Sequence, residues 1–175
     1  MDSPTDTADL ANAQKIYRAH PTEAEIAEVL AMRAAATVGT LNPDGSIHLA
    51  YVIFLHENGR LYFETASITR KARNAAARGR ASMLVQGRAS TGTSLMVAAE
   101  GTATVIDGAR AHDINERLRA KYIRPEALDS VNQAWGPLDD VAVEIEPHAW
   151  RSWTSAPFHA HTAQSLTVDY DDAWL

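Results

Sequence analysis

The chain of 175 residues has no cysteine. That excludes disulfides, a thiolate nucleophile and cysteine-based metal sites. It has no apolar run approaching the roughly 20 residues that span a bilayer. It has no excess of positive charge either: the net charge is −6 and the pI about 5.6. A nucleic-acid binder held by many phosphate contacts is therefore not expected, though a local basic patch can still hold one small anion. No repeat, heptad or low-complexity tract is visible. The first residues, Met1-Asp2-Ser3-Pro4-Thr5-Asp6, lack the basic and apolar regions of a signal peptide, so the expected location is cytoplasmic, away from any membrane.

What is present is an ordinary globular composition, 46% hydrophobic and 22% charged, with enough length for one domain and a core. We divide it into an N-terminal extension at 1–20, a domain at 21–155 and a tail at 156–175. Residues 8–18 carry a weak helical pattern. Pro21-Thr22 opens a clearer helix, in which Thr22 and Glu25 have capping-box spacing and Ile26, Val29 and Leu30 follow at helical intervals. That helix is expected to cover one end of a barrel.

Six strands are expected, at 37–41, 46–56, 60–65, 81–86, 95–106 and 140–153. Asn42-Pro43-Asp44-Gly45 and Glu57-Asn58-Gly59 are turn signals between the first three. The second strand is apolar on both faces over its second half, so one face can meet the core and the other a ligand or a second subunit. Glu100-Gly101 marks a bulge in the fifth strand. A helix is expected at 107–122, with Ile114, Leu118 and Tyr122 at four-residue spacing. Residues 86–94 read as a loop, 124–138 as a connection with two prolines, and the tail from 157 as polar and loose, with Trp174 a late anchor. The pattern predicts a mainly β, α+β fold: a small six-stranded antiparallel barrel with short flanking helices.

The candidate site lies at a short helix that opens near Ser67. Thr69, Arg70 and Lys71 stand at its start, where the macrodipole favours anions rather than cations. A bound phosphate would reconcile the two, held by free backbone N–H groups and the side chains together. Asn74 falls near the same face one turn later. The alternative is a solvated basic face. His159-Ala160-His161 alternates as metal ligands on a strand would, but without a third or fourth ligand no metal site is expected. Glu144 and Glu146 share one face of the last strand and read as solvent-exposed. Trp150 and Trp153 fall on opposite faces.

Pro43-Asp44-Gly45, the apolar 51–55, Gly59-Arg60-Leu61-Tyr62-Phe63, Thr69-Arg70-Lys71-Ala72-Arg73-Asn74 and Ala81-Ser82-Met83-Leu84-Val85 follow one another in a fixed order. That order resembles the pyridoxamine 5′-phosphate oxidase-like split-barrel flavoproteins, over 35–106 and loosely over the last strand. The resemblance implies an FMN-binding oxidoreductase that transfers hydride between flavin and a small organic substrate. It implies a phosphate held by Thr69, Arg70 and Lys71, with Asn74 close by. The flavin ring would lie along Tyr51, Val52, Ile53 and Phe54, chiefly through their backbone, with Glu64 and Thr65 near the ribityl chain. It also implies a homodimer with the cofactor between subunits. Met96 stands where the oxidase proper has a glutamine, and the C-terminal arginine motif has no counterpart, so vitamin B6 oxidation is not implied. Two alternatives stay open. One is a reductase using the deazaflavin coenzyme F-420, for whose acidic tail Arg73, Arg78, Arg80 and Arg88 could extend a groove. The other is a non-catalytic flavin or haem carrier.

Overall fold

The structure, a computed structural model, describes residues 20–166 apart from 136, 155 and 165. The helical pattern at 8–18 and Trp174 lie outside the described residues. In chain order the elements are α1 (Glu23–Ala31), β1 (Ala35–Leu41), β2 (Ile47–Ile53), β3 (Leu55–Glu57), β4 (Arg60–Ala66), α2 (Arg70–Arg78), β5 (Arg80–Arg88), β6 (Ser94–Ile106), α3 (Gly108–Tyr122), α4 (Pro125–Trp135), β7 (Asp140–Thr154) and α5 (Ala156–Ala163). All strand pairs are antiparallel, and the 7-stranded sheet runs β2-β1-β5-β6-β7-β4-β3. None of the described helices is long and apolar enough to cross a membrane.

The first and last strands of that sheet are neighbours in the chain, separated only by Phe54. The expected six strands become seven because the second one breaks there. Before the break it pairs with β1, and after it with β4. The chain thus curls the sheet into a barrel. Phe54 is fully buried in the barrel core with Val38, Phe63, Met83, Val97 and Ile145. A break in a strand strands backbone polar groups, which must find partners. The Phe54 N–H donates to the Tyr122 hydroxyl at 3.2 Å, and the Phe54 carbonyl accepts from Lys121 Nζ at 3.3 Å. The Tyr122 hydroxyl in turn reaches the Ala34 carbonyl at 2.6 Å.

The Lys121 ammonium also donates to the Leu30 carbonyl and lies 4.1 Å from the centre of the Phe54 ring. Burial pulls its pKa down to about 8. The unfolded chain holds a lysine near about 10.4. Between those values the unfolded chain binds more protons than the folded one, so stability should rise with pH across about 8 to 10. We expect the urea midpoint to climb over that window, and Lys121→Met to climb less. Equal slopes for the two proteins would refute this. The scan must stop near about 10, because Tyr62 and Tyr122, whose pKa values burial raises, reverse the trend above it.

Two helices plug the barrel. α1 has the expected capping box, in which Thr22 Oγ1 accepts from the Glu25 N–H and Glu25 accepts from the Thr22 N–H at 2.9 Å. It buries Val29 and Leu30 at the end where β5 finishes, and Gly87 is needed there because a Cβ would lie 2.9 Å from the Val29 side chain. α2 closes the opposite end. α3 lies outside the barrel and packs Ala111, Ile114 and Leu118 on Leu55, Tyr62 and Ala142.

Four further expectations are corrected. Residues 124–138 hold a helix, α4, whose first residue is Pro125, a position where the missing N–H is no loss. The loop at 86–94 shrinks to a turn between Ala89 and Thr93, since β5 and β6 pair out to Arg88↔Ser94. Residues 156–163 form α5 rather than a loose tail, so His159 and His161 sit roughly 200° apart around a helix and cannot converge on one ion. Glu144 is not solvated: its side chain is 8% exposed, clasped by Arg60 at 2.7 Å and Arg110 at 2.8 Å. Only Glu146, 60% exposed, fits the expectation. The bulge is present, with the unpaired residue on β7: Glu100 faces Ala149 and Gly101 faces Pro147, leaving His148 over.

Candidate functional site

α2 starts where β4 ends. Thr69 is its N-cap, its hydroxyl accepting from the Ala72 N–H at 3.4 Å, and Gly79 ends the helix in the left-handed region at φ 61°. The Thr65 and Thr69 hydroxyls lie 3.0 Å apart, so the last inward-facing residue of β4 is tied to the cap. The Thr69 N–H is bound to the Ala66 carbonyl at 3.0 Å. That leaves the backbone N–H groups of Arg70 and Lys71, the first two helical positions, with no acceptor inside the helix.

Their side chains have no carboxylate partner among the described residues. Arg60, Arg110, Arg117, Arg119 and Arg151 all pair with carboxylates. Among the described residues the side chains of Arg70, Lys71 and Arg73 make no hydrogen bond or ion pair, and the first turn of α2 holds no acidic residue. Arg70 contributes only a weak field at Asp44. Lys71 is half-buried, and burial with no facing carboxylate lowers its pKa. A desolvated cation and two free N–H groups at the positive end of a helix dipole are the groups a cradle for a dianion would need.

Asn74 is buried beneath the helix. Its amide donates to Thr40 Oγ1 at 3.2 Å and Asn42 Oδ1 at 3.0 Å, pinning α2 to the end of β1 and the following turn. Arg78 bonds the Pro43 carbonyl at 3.2 Å in the same turn.

Below the cradle the barrel is split. β3 pairs with β4 only from Leu55↔Tyr62 to Glu57↔Arg60. From Phe63 to Ala66 β4 pairs with β7 alone, and β2 pairs with β1 alone. Two strand edges with unpaired N–H and C=O groups therefore border the split, with the start of α2 at the end of β4. The expected ring-binding strip is the β2 edge. There Tyr51 faces outward, 81% exposed, Val52 faces the core, and Ile53 leans toward the cluster under α3. Phe54 closes the strip, its own backbone already bonded to α3. Opposite, Thr65 faces the barrel, while the Glu64 side chain turns away to Arg119.

Glu64 belongs to a buried ion cluster absent from the sequence reading. Arg119, 2% exposed, bonds both Glu64 oxygens, Asp140 Oδ2 at 3.1 Å and Asn132 Oδ1 at 3.4 Å, and stacks 5.1 Å from the Trp135 ring centre. The sequence signal was available: Asn115 and Arg119 follow Ala111 at four-residue spacing, beside the apolar stripe of α3.

The outer face of β2, β1, β5 and β6 carries a groove of about 510 Å³ lined by Gly39, Leu41, Ile47, Leu49, Leu84 and Ala98, among others. Ile47 and Leu49 are 69% and 64% exposed and alternate with inward residues, as does Tyr51 beyond them.

The family model described as pyridoxamine 5′-phosphate oxidase matches residues 22–154. No curated protein matches the chain. Among solved structures, a conserved hypothetical protein from Mycobacterium tuberculosis is 27% identical, with 79% of this chain and 88% of that one covered and a TM-score of 0.65. An F-420 reductase is 20% identical over 75% of this chain and 98% of its own, with a TM-score of 0.56. The haem storage protein of Vibrio cholerae is 16% identical over 75% and 93%, with a TM-score of 0.58. The last two share the fold.

Proposed function

Because this chain belongs to the pyridoxamine 5′-phosphate oxidase family, we propose that it is an FMN-binding oxidoreductase acting on a small organic substrate as a homodimer. The observation that carries this reading is the pair of unpartnered cations, Arg70 and Lys71, at the start of α2. They suit a phosphate monoester, with the two free N–H groups as its nearest donors. The flavin, when bound, supplies hydride chemistry. The chain's own part is to hold and orient: Thr69 fixes the helix start, the β2 edge at Tyr51, Val52 and Ile53 offers backbone groups to the ring, and Thr65 borders the ribityl path. Phe54 and Asn74 act from beneath, as supports for the strip and the cradle. The exposed stripe of Ile47, Leu49 and Tyr51 is the surface a second copy would cover, which would also shield the split from water.

Lys71→Ala or Arg70→Ala should weaken FMN binding by about 10- to 100-fold, about 1.5–3 kcal/mol for a lost charge-assisted bond, as read by flavin fluorescence quenching. Unchanged affinity in both variants would remove the cradle from the site.

A second reading, deazaflavin binding, has one observation in its favour: Arg73 and Arg80 also lack carboxylate partners, and Arg80 lines the outer groove. Arg78 is bound to Pro43, and Arg88 ends β5 at the far end of the barrel, so the four arginines do not form one track. Titrating both cofactors side by side decides between the readings, and tighter FMN binding sinks the second.

A further inference from the structure

At the end of the barrel opposite α2 lies a second concavity of about 320 Å³. Ile26, Ala27 and Leu30 of α1, Val97 of β6 and Trp150 of β7 form its walls. That is a small-ligand volume at a barrel mouth, where such sites are common. Its polar lining is Glu23, His56, Arg151 and Ser152, none of which the flavin reading uses. Leu55 of β3 joins the cluster under α3, so His56 next to it faces the other way, into the concavity.

His56 meets the Trp150 ring edge-on, with centroids 5.8 Å apart and planes at 82°. Among the described residues no hydrogen bond reaches either of its ring nitrogens. Burial first, and then the nearby Lys121 charge, hold its pKa below the ordinary histidine value, so at neutral pH the ring is uncharged and has one N–H to give. Lys121 itself is bonded to the carbonyl of Leu30, a wall residue, and no carboxylate neutralises it. The ionised groups at the rim are Glu23, which is exposed, and Arg151, which is bound to Glu100. Charges at an exposed rim are screened, whereas one behind the wall is not. The walls are therefore mostly apolar, with an indole 42% exposed on one side, His56 facing the space, and the Lys121 charge behind Leu30, close enough to act on His56.

We propose that this pocket binds a small planar aromatic carboxylate, its ring against Trp150 and its carboxylate accepting from the His56 N–H, with the Lys121 charge behind the Leu30 wall adding long-range attraction. The site is separate from the phosphate cradle and does not depend on the flavin reading.

The test is calorimetric titration of the protein, with and without FMN, using naphthoate and its neutral isostere naphthamide as probes. Saturable naphthoate binding at one site per chain is expected in both conditions, at least tenfold tighter than naphthamide. Ala27→Trp fills the pocket from an exposed position of α1 and should lower naphthoate affinity at least tenfold while leaving FMN affinity unchanged. Lys121→Met should weaken naphthoate and leave naphthamide as it was. Absence of saturable binding, indifference to Ala27→Trp, competition with FMN, or equal affinity for acid and amide would each overturn the proposal.

Discussion

Replacing Arg119 with methionine should cost about 3–5 kcal/mol of stability, the usual penalty for removing one partner of a buried ion pair. The reason is what stays behind. Glu64 and Asp140, with side chains 7% and 17% exposed, would lose the cation that all but encloses them. Burial already raises the Glu64 pKa even with Arg119 bonded to it. Without the guanidinium it would rise further. A carboxylate whose folded-state pKa lies above its unfolded value gains stability as pH falls, and loses it as pH rises through the folded value. The variant should therefore recover part of its loss on acidification from neutral to mildly acidic pH, as Glu64 takes a proton. Adding Glu64→Gln should restore more than half of it at neutral pH. Urea unfolding of the two variants at both pH values checks this. A loss under about 1 kcal/mol for Arg119→Met would show that the cluster is ornamental. Lysine would not serve instead, because it offers neither the fork that binds both Glu64 oxygens nor the plane that stacks on Trp135.

Gly101→Ala should destabilise the barrel by about 3 kcal/mol or more, with refolding yield falling accordingly. The added Cβ would overlap the Glu146 carbonyl oxygen and lie 2.7 Å from that carbonyl carbon and 2.9 Å from Pro147 Cα. These are backbone atoms of the paired strand, and no rotamer change relieves them. The close approach comes from the bulge, where β7 kinks inward to accommodate His148. Pro147 belongs there too, since a proline in a central strand is tolerated where pairing is interrupted. Gly39→Ala is the natural control. Its Cβ would meet the Leu49 side chain at 3.5 Å, an ordinary contact, and thermal melting should move little. If the two variants melt alike, the bulge is softer than its geometry says.

Much of the barrel was legible because its signals are local. Asn58 at φ 50° and Gly59 at φ 74° make the hairpin that the Asn-Gly pair announces. Thr22 and Glu25 cap α1 as their spacing implies, and the register shift falls at Glu100-Gly101, although the extra residue is His148 of β7. The basic start of α2 was readable from Thr69-Arg70-Lys71 alone. What escaped depends on partners far along the chain. Glu144 looked solvated because Arg60 and Arg110 are 84 and 34 residues away. The ion pair of Glu64 was not foreseen because Arg119 is 55 residues on. Asn74 shares a helix with the cations, yet its role as a pin depends on Thr40 and Asn42. α4 was missed for a different reason: a proline read as a breaker can equally be the first residue of a helix.

The step at Phe54 has a consequence for how the cylinder is held shut. Most closed sheets are fastened by a ladder between first and last strand, which can unzip from either end. Here those strands are one continuous stretch, so the fastening is a covalent bond and the sheet is a hoop. Fraying at the split can widen the gap between β2 and β4 without opening the ring. A nick in the Asn42–Ser46 turn would leave the hoop intact, whereas a nick beside Phe54 would let it unroll into a flat sheet with two free edges.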